Sequence, residues 1–192
     1  MKTGFVNRPE PHSAGFTLTE LLVVITIVGL LMAIGVPTYR NITDSSRIAS
    51  EVNGLLGDMQ LARSEAVKQG LPVTVCVSAN GTSCLASGNW ASGWIIFLDN
   101  NANQAVDAGP PADVLVKVQA PFSGTDTFVS DNPTAATFNR EGFATLTAAG
   151  TTYNSALITL NAATATAAST RCLTLNQLGK MAVQKVGAGG CT

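Results

Sequence analysis

The sequence predicts an α+β protein in which one long N-terminal α-helix, with an apolar half and an amphipathic half, packs on antiparallel β-sheets. Three observations support this fold class. An apolar segment near the N-terminus continues directly into a segment with helical periodicity. From residue 71 onward, short runs typical of strands alternate with clusters of Gly, Asn and Pro. One helix followed by many strands is typical of the α+β class.

The composition sets limits on the class of protein. The chain has 192 residues and a net charge of -1, and only 12% of its residues are charged. Globular proteins average about 25% charged residues, so a charge-driven disordered chain is excluded. The near-neutral balance argues against a protein that holds nucleic acid by bulk charge. The length suits one domain with an appendage.

Residues that could carry catalysis are scarce. His12 is the only histidine, and it lies in a segment that we expect to be removed. Its loss excludes histidine acid–base chemistry, histidine triads and histidine metal ligation. No motif frames a nucleophile. The sequence therefore predicts no enzymatic activity and no cofactor.

Residues 16–36, FTLTELLVVITIVGLLMAIGV, form an apolar segment with a single charge. As a helix they would extend about 31 Å, the thickness of one bilayer core. An alternative is a cleavable secretory signal with Ala33-Ile34-Gly35 as its small-residue site. A carboxylate at the head of the apolar segment is unusual for such a signal.

That carboxylate is Glu20, which would cost about 2–3 kcal/mol in hydrocarbon without a partner. Cleavage after Gly15 would supply a partner, because it leaves Phe16 with a free α-amine. In a helical stack, Glu20 of one subunit could meet the α-amine of the next. Such a buried pair sets register more than it adds stability.

The motif GFTLTELL at residues 15–22 resembles the class III signal of type IV prepilins and type II secretion pseudopilins. The resemblance implies that a membrane peptidase cleaves after Gly15 and methylates Phe16. Pro37 matches the proline that kinks the helix in that family. Thr19 stands where the family more often has Ile, which is a mild change.

Residues 37–70 are predicted to form the amphipathic half of the helix, which ends at Gly70 and Pro72. Gly54 and Gly57 weaken this half, and either allow a sheet to pack closely or bend the helix. Apolar residues at helical spacing predict one buried face, which packs under a sheet: Ile48, Val52, Leu55, Met59, Ala62 and Ala66.

Residues 71–192 are predicted to form a periplasmic β-rich domain with nine short strands. Long loops are expected at 79–92 and 100–111. The expected strands are 73–78, 93–98, 113–120, 125–130, 136–139, 143–147, 156–161, 171–176 and 180–185.

This domain resembles the H-type pseudopilins and the FimT/FimU-type minor pilins. Three segments carry the resemblance: LARSEA at 61–66, GWIIFLD at 93–99 before an Asn-rich loop, and the closing hairpin at 172–183. The resemblance implies a pilin-like fold with a leader at 1–15 and a membrane or filament-core helix at 16–36.

The same resemblance implies a role and its partners. The role is that of a minor pilin in type IV pilus assembly, in a tip or priming complex. The alternatives are a DNA-binding minor pilin of natural transformation and an H-type pseudopilin of type II secretion. The implied partners are other minor pilins, the major pilin, the prepilin peptidase, the inner-membrane assembly platform and membrane lipid. The implied location is the inner membrane, crossed once with the domain in the periplasm, and then the pilus.

Four cysteines lie beyond the apolar segment: Cys76, Cys84, Cys172 and Cys191. Three pairings are possible. We favour Cys76–Cys84 and Cys172–Cys191, because each closes a short loop and could contribute about 2–4 kcal/mol. Buried free thiols are the alternative. The absence of a CxxC motif and of further histidines argues against zinc and against a thioredoxin-like site.

The Asn-rich loop is a weak calcium candidate. Its possible ligands occupy positions 1, 3, 5 and 9 of an EF-type loop, with a carbonyl from Ala105 at position 7. Gln104 replaces the glycine of position 6, and Pro110 replaces the glutamate of position 12. An Asn-rich hairpin turn is the favoured interpretation. The four candidate ligands are Asp99, Asn101, Asn103 and Asp107.

The C-terminal segment 171–192 carries a local charge of +3 from Arg171, Lys180 and Lys185. These are the candidate DNA contacts. Three phosphate contacts would give only weak, salt-sensitive binding. DNA is therefore a possible partner that the sequence does not favour over ordinary solubilising charge.

Overall fold

The computed structural model describes residues 15–122, 124–130, 132–162, 169–188 and 191. The predicted leader, apart from Gly15, lies outside the described residues, as does His12. The chain divides into two compact units, Met1–Arg40 and Asn41–Thr192. The sequence analysis divided the chain after residue 36, at the end of the apolar half of the helix, and after residue 70, at the end of the amphipathic half. The structure groups the amphipathic half of the helix with the β-rich domain, because its buried residues belong to that domain's core.

Helix α1, Leu18–Gln69, is a single α-helix of 52 residues. Thr17 precedes it and accepts a hydrogen bond from the backbone N–H of Glu20, so it satisfies one of the free N–H groups of the first turn. At the other end, Gly70 takes φ +70° and donates to the carbonyl of Ala66, a left-handed conformation that glycine adopts without a steric cost.

Pro37 lies inside α1, and the helix is continuous through it. Proline has no N–H, so one backbone hydrogen bond of the helix is absent at this point. The kink that the resemblance implies is not an interruption of α1 in the structure. Thr38 Oγ1 donates to the carbonyl of Ile34, 2.9 Å away, beside the missing bond.

Ten strands follow the helix, and nine of them match the predicted runs within one or two residues. The additional strand and a short 3-10 helix, Trp90–Ser92, are elements that the sequence analysis missed. The strands are β1 Val73–Val77, β2 Trp94–Leu98, β3 Val114–Gln119, β4 Thr127–Ser130, β5 Ala135–Phe138, β6 Ala144–Ala148, β7 Thr151–Tyr153, β8 Ser155–Asn161, β9 Arg171–Asn176 and β10 Met181–Lys185.

The strands form two antiparallel sheets. The larger sheet has the order β3-β2-β1-β5-β6-β7, and the smaller has the order β10-β9-β8-β4. Hairpins account for most of the pairings, such as β5 with β6 and β9 with β10. Strand β4 joins the smaller sheet through β8, with Phe128 opposite Leu160. The predicted fold class, a long N-terminal helix on antiparallel sheets, is confirmed.

One hydrophobic core connects α1 with both sheets. The predicted apolar face is confirmed: Ile48, Val52 and Leu55 have no exposed area, and the face continues to Ala66. Both sheets contribute inward-facing residues to the same cluster, including Val75, Phe138, Ile158 and Leu173. Burial on this scale is the main term that stabilises such a domain.

Gly54 and Gly57 lie on the exposed side of this helix half. A Cβ atom added at either position would meet no other atom within 4 Å. The expectation that these glycines allow a sheet to pack closely against the helix is therefore wrong for this domain.

The central part of the outer face of the larger sheet is also buried. Cys76, Ile95 and Phe97 form a second small core there, with Cys84 and Val106 packed against it from two loops. Strands covered on both faces read as continuous apolar runs rather than as alternating patterns. Strands β1 and β2 show this behaviour, since every one of their residues is buried.

Candidate functional site

The first turn of α1 and the residues before it form the candidate processing and assembly site. Phe16 is 83% exposed, and Glu20 is also exposed. Thr17 Oγ1 accepts from the Glu20 N–H at 3.2 Å and lies 3.1 Å from Thr19 Oγ1. Glu20 is the acidic residue of the first turn, where the positive end of the helix dipole favours a carboxylate.

The apolar half of α1 is exposed along its length. The exposed fractions of Leu22, Ile25 and Leu31 are 51%, 58% and 68%. By length and composition, α1 contains the one segment of the described residues that could cross a membrane, and none of that segment is buried. Water disfavours a surface of this kind, so it requires lipid or other apolar helices around it.

The two disulfides hold the ends of loops in the globular domain. The structure joins Cys76 to Cys84 and Cys172 to Cys191, with Cα–Cα distances of 5.5 and 5.7 Å. Among the described residues no free cysteine is present. The first bond ties the loop after β1 to the outer face of the larger sheet. The second ties the C-terminus to β9.

The two carboxylates of the Asn-rich loop accept hydrogen bonds from nearby protein donors. Asp99 Oδ1 and Oδ2 accept from the backbone N–H groups of Asn103 and Gln104 at 3.0 and 2.8 Å. Asp107 Oδ2 accepts from the side-chain amides of Asn101 and Asn103 at 2.9 and 2.8 Å. Asp99 Oδ2 also accepts from Thr74 Oγ1 on β1 at 2.8 Å, so the carboxylates are bound to donors of their own loop and of the neighbouring strand.

No group of three or more His, Cys, Asp or Glu side chains within the described ranges could hold a metal ion. Gln104 turns the loop inward with φ +63° and donates to Thr137 Oγ1 on β5 at 3.0 Å. It also accepts from Thr147 Oγ1 on β6. The loop therefore covers the sheet, in keeping with the favoured interpretation of an Asn-rich turn, and calcium ligation stays the weaker alternative.

The structure brings two of the three candidate DNA contacts to neighbouring positions, since Arg171 on β9 pairs with Lys185 on β10, whereas Lys180 precedes the other end of β10. Arg171 is only 9% exposed, and it donates to the carbonyl of Thr170 and to Ser45 Oγ on α1. Arg171 anchors the smaller sheet to the helix. The prediction that Arg171 contacts DNA is therefore corrected, because its side chain is buried. Lys180 and Lys185 are exposed, but they flank opposite ends of β10.

Two carboxylates that the sequence analysis did not single out attach the sheets to α1. Asp58 is buried on the helix and accepts from Trp94 Nε1 at 2.9 Å and from Lys117 Nζ at 2.6 Å. Arg47 donates through Nε and Nη2 to the two carboxylate oxygens of Asp126, at 2.6 and 2.8 Å. A bidentate pair of this geometry fixes orientation as well as distance.

Glu51 lies one turn after Arg47, and its Oε2 atom is buried without a hydrogen-bond partner among the described residues. Burial raises the pKa of the Glu51 carboxyl, and the nearby Asp126 carboxylate raises it further, while Arg47 opposes the rise. The Asp126 carboxylate in turn raises the pKa of Arg47. No local sequence pattern could indicate the Arg47–Asp126 pair, because Asp126 is 79 residues from Arg47.

The fold and the N-terminal site together define the class of protein. A GFTLTE motif heads a helix of membrane-spanning length, and the same helix continues under antiparallel sheets closed by two disulfides. This is the architecture of the pilins.

The comparisons with known proteins agree with that class. Residues 51–179 match the family described as Type II transport protein GspH, and residues 11–36 match the prokaryotic N-terminal methylation motif. The chain belongs to the type IV pilin and pseudopilin family, with a GspH domain. Proteins of this family are structural and non-enzymatic, and they interact with other pilins and with assembly machinery.

Two curated relatives are similar to part of the chain. It is 35% identical over 79 residues to the type IV major fimbrial protein FimA of Dichelobacter nodosus, covering 41% of this chain and half of that protein. It is 38% identical over 84 residues to the type IV narrow pilus major component PilA5 of Thermus thermophilus, covering 42% of this chain and 72% of that protein.

The fold is shared with a solved structure. The crystal structure of the type IV minor pilin FimU of Pseudomonas aeruginosa superposes with a TM-score of 0.53 at 18% identity. The superposition covers 74% of this chain and 92% of that one. At this identity the likeness shows the pilin fold.

Proposed function

We propose that this protein is a minor pilin that takes part in type IV pilus assembly, in a tip or priming complex with other minor pilins. The observation that carries the proposal is the combination of an N-terminal methylation motif with a domain that shares its fold with FimU, a type IV minor pilin. The exposed apolar half of α1 supports it, because that surface suits a filament core of packed helices.

The N-terminal residues would act in sequence. A prepilin peptidase removes residues 1–15 by cleavage after Gly15, and Phe16 becomes the N-methylated first residue. Glu20 then pairs with the α-amine of a neighbouring subunit and sets its register in the stack. Pro37, which lacks an N–H, allows α1 to bend as the subunit leaves the bilayer.

The rest of the chain would present the subunit to its partners. Before assembly, residues 16–36 hold the protein in the inner membrane, and residues 37–70 and 71–192 form the periplasmic part. The assembly platform then moves the subunit into the pilus, where it contacts the major pilin and other minor pilins. The two disulfides suit the oxidising periplasm.

The test is a clean deletion strain whose surface pili are sheared and quantified by the amount of major pilin. We expect loss of pili, restored when the wild-type chain is supplied in trans. Normal pili in the deletion strain would contradict the assembly role.

The match of residues 51–179 to the GspH family favours a second candidate, an H-type pseudopilin of type II secretion. The same deletion strain separates the two roles. A pseudopilin predicts normal pili and a loss of proteins exported to the medium. A pilus subunit predicts the reverse.

DNA uptake is the less supported alternative. The buried position of Arg171 leaves only Lys180 and Lys185 of the three candidate contacts at the surface. Two separated cations bind the phosphates of DNA only weakly at physiological salt.

A further inference from the structure

Two turns of the globular domain meet beside one arginine of α1. The turn after β5 contains Gly142, the turn after β9 contains Gly179, and the guanidinium of Arg63 lies against both. We call the opening beside it the Arg63 pocket. It has a volume of about 410 Å³ and is lined by Gln60, Arg63, Leu178, Gly179, Lys180 and Met181.

The two glycines are required for this arrangement. Gly142 has φ +82° and Gly179 has φ +71°, conformations that side chains disfavour. A Cβ atom at Gly142 would lie 2.8 Å from Arg63 Nε, and one at Gly179 would collide with the Gly142 carbonyl oxygen. The backbone of both turns thus holds the guanidinium in place, as does a hydrogen bond from Arg63 Nη1 to the Gly179 carbonyl at 3.2 Å.

The pocket carries two cations and no carboxylate. Arg63 is half-buried, and within the described residues that one hydrogen bond is its only polar contact, although a guanidinium has five N–H donors. The Lys180 ammonium likewise has no ion pair in the described part of the chain. Glu65, two residues after Arg63, is paired with Lys68 at 3.3 Å, and Glu141, beside Gly142, is paired with Arg140 at 2.8 Å. The site therefore has donors prepared for an anion.

Exposed apolar side chains lie in the same two turns, where Leu178 lines the pocket and Phe143 follows Gly142 in the chain. Leu178 is 66% exposed at the tip of one turn, and Phe143 is 49% exposed at the end of the other. Arginine beside aromatic and aliphatic side chains is typical of the centre of protein–protein interfaces. A phosphate backbone gains little from such apolar neighbours, and two cations on a chain of net charge -1 attract a polyanion weakly.

We propose that the Arg63 pocket receives an Asp or Glu carboxylate of a partner protein, whose neighbouring apolar side chains pack on Leu178 and Phe143. The planar guanidinium can hold the carboxylate through two parallel hydrogen bonds, and Lys180 adds a second charge. The identification of the partner as another pilin subunit rests on the proposed function, whereas the carboxylate site itself does not.

The test uses the full-length chain in detergent micelles, labelled with ¹⁵N and observed by NMR. The probe is the peptide acetyl-Leu-Glu-Leu-amide, and its matched control is acetyl-Leu-Gln-Leu-amide. We expect saturable shifts of the Gly142, Gly179 and Lys180 amides with the Glu peptide. The Gln peptide should bind about tenfold more weakly, the effect of losing a charge-assisted hydrogen bond.

Variants then locate the site. Lys180→Gln should weaken binding of the Glu peptide several-fold, while Lys185→Gln, a change of the other exposed lysine flanking β10, should leave it unchanged. Arg63→Gln should abolish binding, but it also removes a contact of the fold, so Lys180→Gln is the deciding variant. Its domain should melt as the wild-type domain does.

Three results would overturn the proposal: equal shifts with both peptides, no shift with either, or loss of binding in Lys185→Gln and not in Lys180→Gln. A short DNA duplex that shifts the same amides while the Glu peptide does not would instead assign the pocket to nucleic acid.

The peptide-binding test is independent of the count of surface pili. Normal pili in the deletion strain, with peptide binding intact, would contradict the assembly role alone.

Discussion

The two halves of α1 are made of similar apolar residues but have opposite surroundings. In the first half, Leu22 and Leu31 are more than half exposed, whereas in the second half Val52 and Leu55 have no exposed area. The second half meets its own sheets, and the first half meets nothing in the described chain that buries it. One helix thus supplies a buried face to the core of its own domain and an apolar segment that the described chain leaves exposed.

The largest effect that would test this comparison concerns Glu20, the single charge of the apolar half. Glu20→Ala should remove the protein from sheared filaments while cleavage after Gly15 continues, because the register pair is lost but the cleavage motif remains. The measurement is immunoblotting of sheared pili and of the processed chain in membranes.

The control is Glu141→Ala, which removes an exposed carboxylate of the globular domain. It should leave incorporation unchanged. Normal incorporation of Glu20→Ala would contradict the charge-pairing role.

Leucine truncations in the two halves should separate their roles. Leu55→Ala creates a cavity in the core and should lower the free energy of unfolding by about 2–5 kcal/mol. Leu31→Ala, with a side chain that is exposed in this chain, should leave the domain's stability unchanged. Urea unfolding in detergent, followed by the fluorescence of the buried Trp90 and Trp94, measures both. Equal losses from the two variants would contradict the division of α1.

The second half of α1 depends on a domain that disulfides constrain. Replacing Cys172 and Cys191 with serine opens a loop with a sequence separation of 19 residues and should cost about 3 kcal/mol. Replacing Cys76 and Cys84, which are separated by 8 residues, should cost less. Thermal unfolding with and without reductant makes the comparison. An unchanged melting temperature in the first double variant would show that its pair is not bonded.

Glycines of the amphipathic half offer a stabilising change. Gly54→Ala should raise the free energy of unfolding by up to about 1 kcal/mol, because alanine loses less conformational entropy in a helix and meets no neighbour here. Gly70→Ala should instead lower it by about 1–2 kcal/mol, since alanine is strained at φ +70°. A loss of stability in Gly54→Ala would indicate a contact that the exposed position does not show.

The smallest expected effect is a pH dependence at Glu51. Because the folded-state pKa of this carboxyl is raised, the folded chain binds more protons than the unfolded chain between the ordinary and the raised pKa. Stability from this group therefore falls as pH rises through that window and stays lower above it. Glu51→Gln should remove the fall and gain up to about 0.5 kcal/mol at neutral pH, since solvent screens a half-exposed carboxyl. A lower free energy of unfolding in Glu51→Gln than in the wild-type chain at neutral pH would contradict the predicted direction of this effect.

Much of the local secondary structure could be predicted from the sequence. The spacing from Ile48 to Ala66 predicted the buried helix face, because neighbours at three and four residues determine helical amphipathicity. Strand β7, with three residues, and the 3-10 helix at Trp90–Ser92 were missed because such short elements have little periodicity of their own. The motif at residues 15–22 indicated the family before any fold was known.

Charged contacts between residues that are distant in the chain could not be predicted from the sequence. Nothing near Asp58 indicates that it meets Lys117, which is 59 residues away, and Arg171 reads as a surface cation although it is buried against Ser45. The spacing of the Asn-rich loop resembles a calcium ligand set, but it does not reveal that the Asp99 carboxylate accepts from the backbone N–H groups of Asn103 and Gln104.

The sequence by itself determined the long helix, the order of its apolar and amphipathic halves, most of the strands and the processing motif, because each depends on neighbours within a few residues. Only the tertiary structure decided which charges are buried, which glycines meet another segment, and that Arg63 lies between two turns. Those features depend on contacts between residues such as Arg63 and Gly179, 116 positions apart, which form only after the sheets close on the helix.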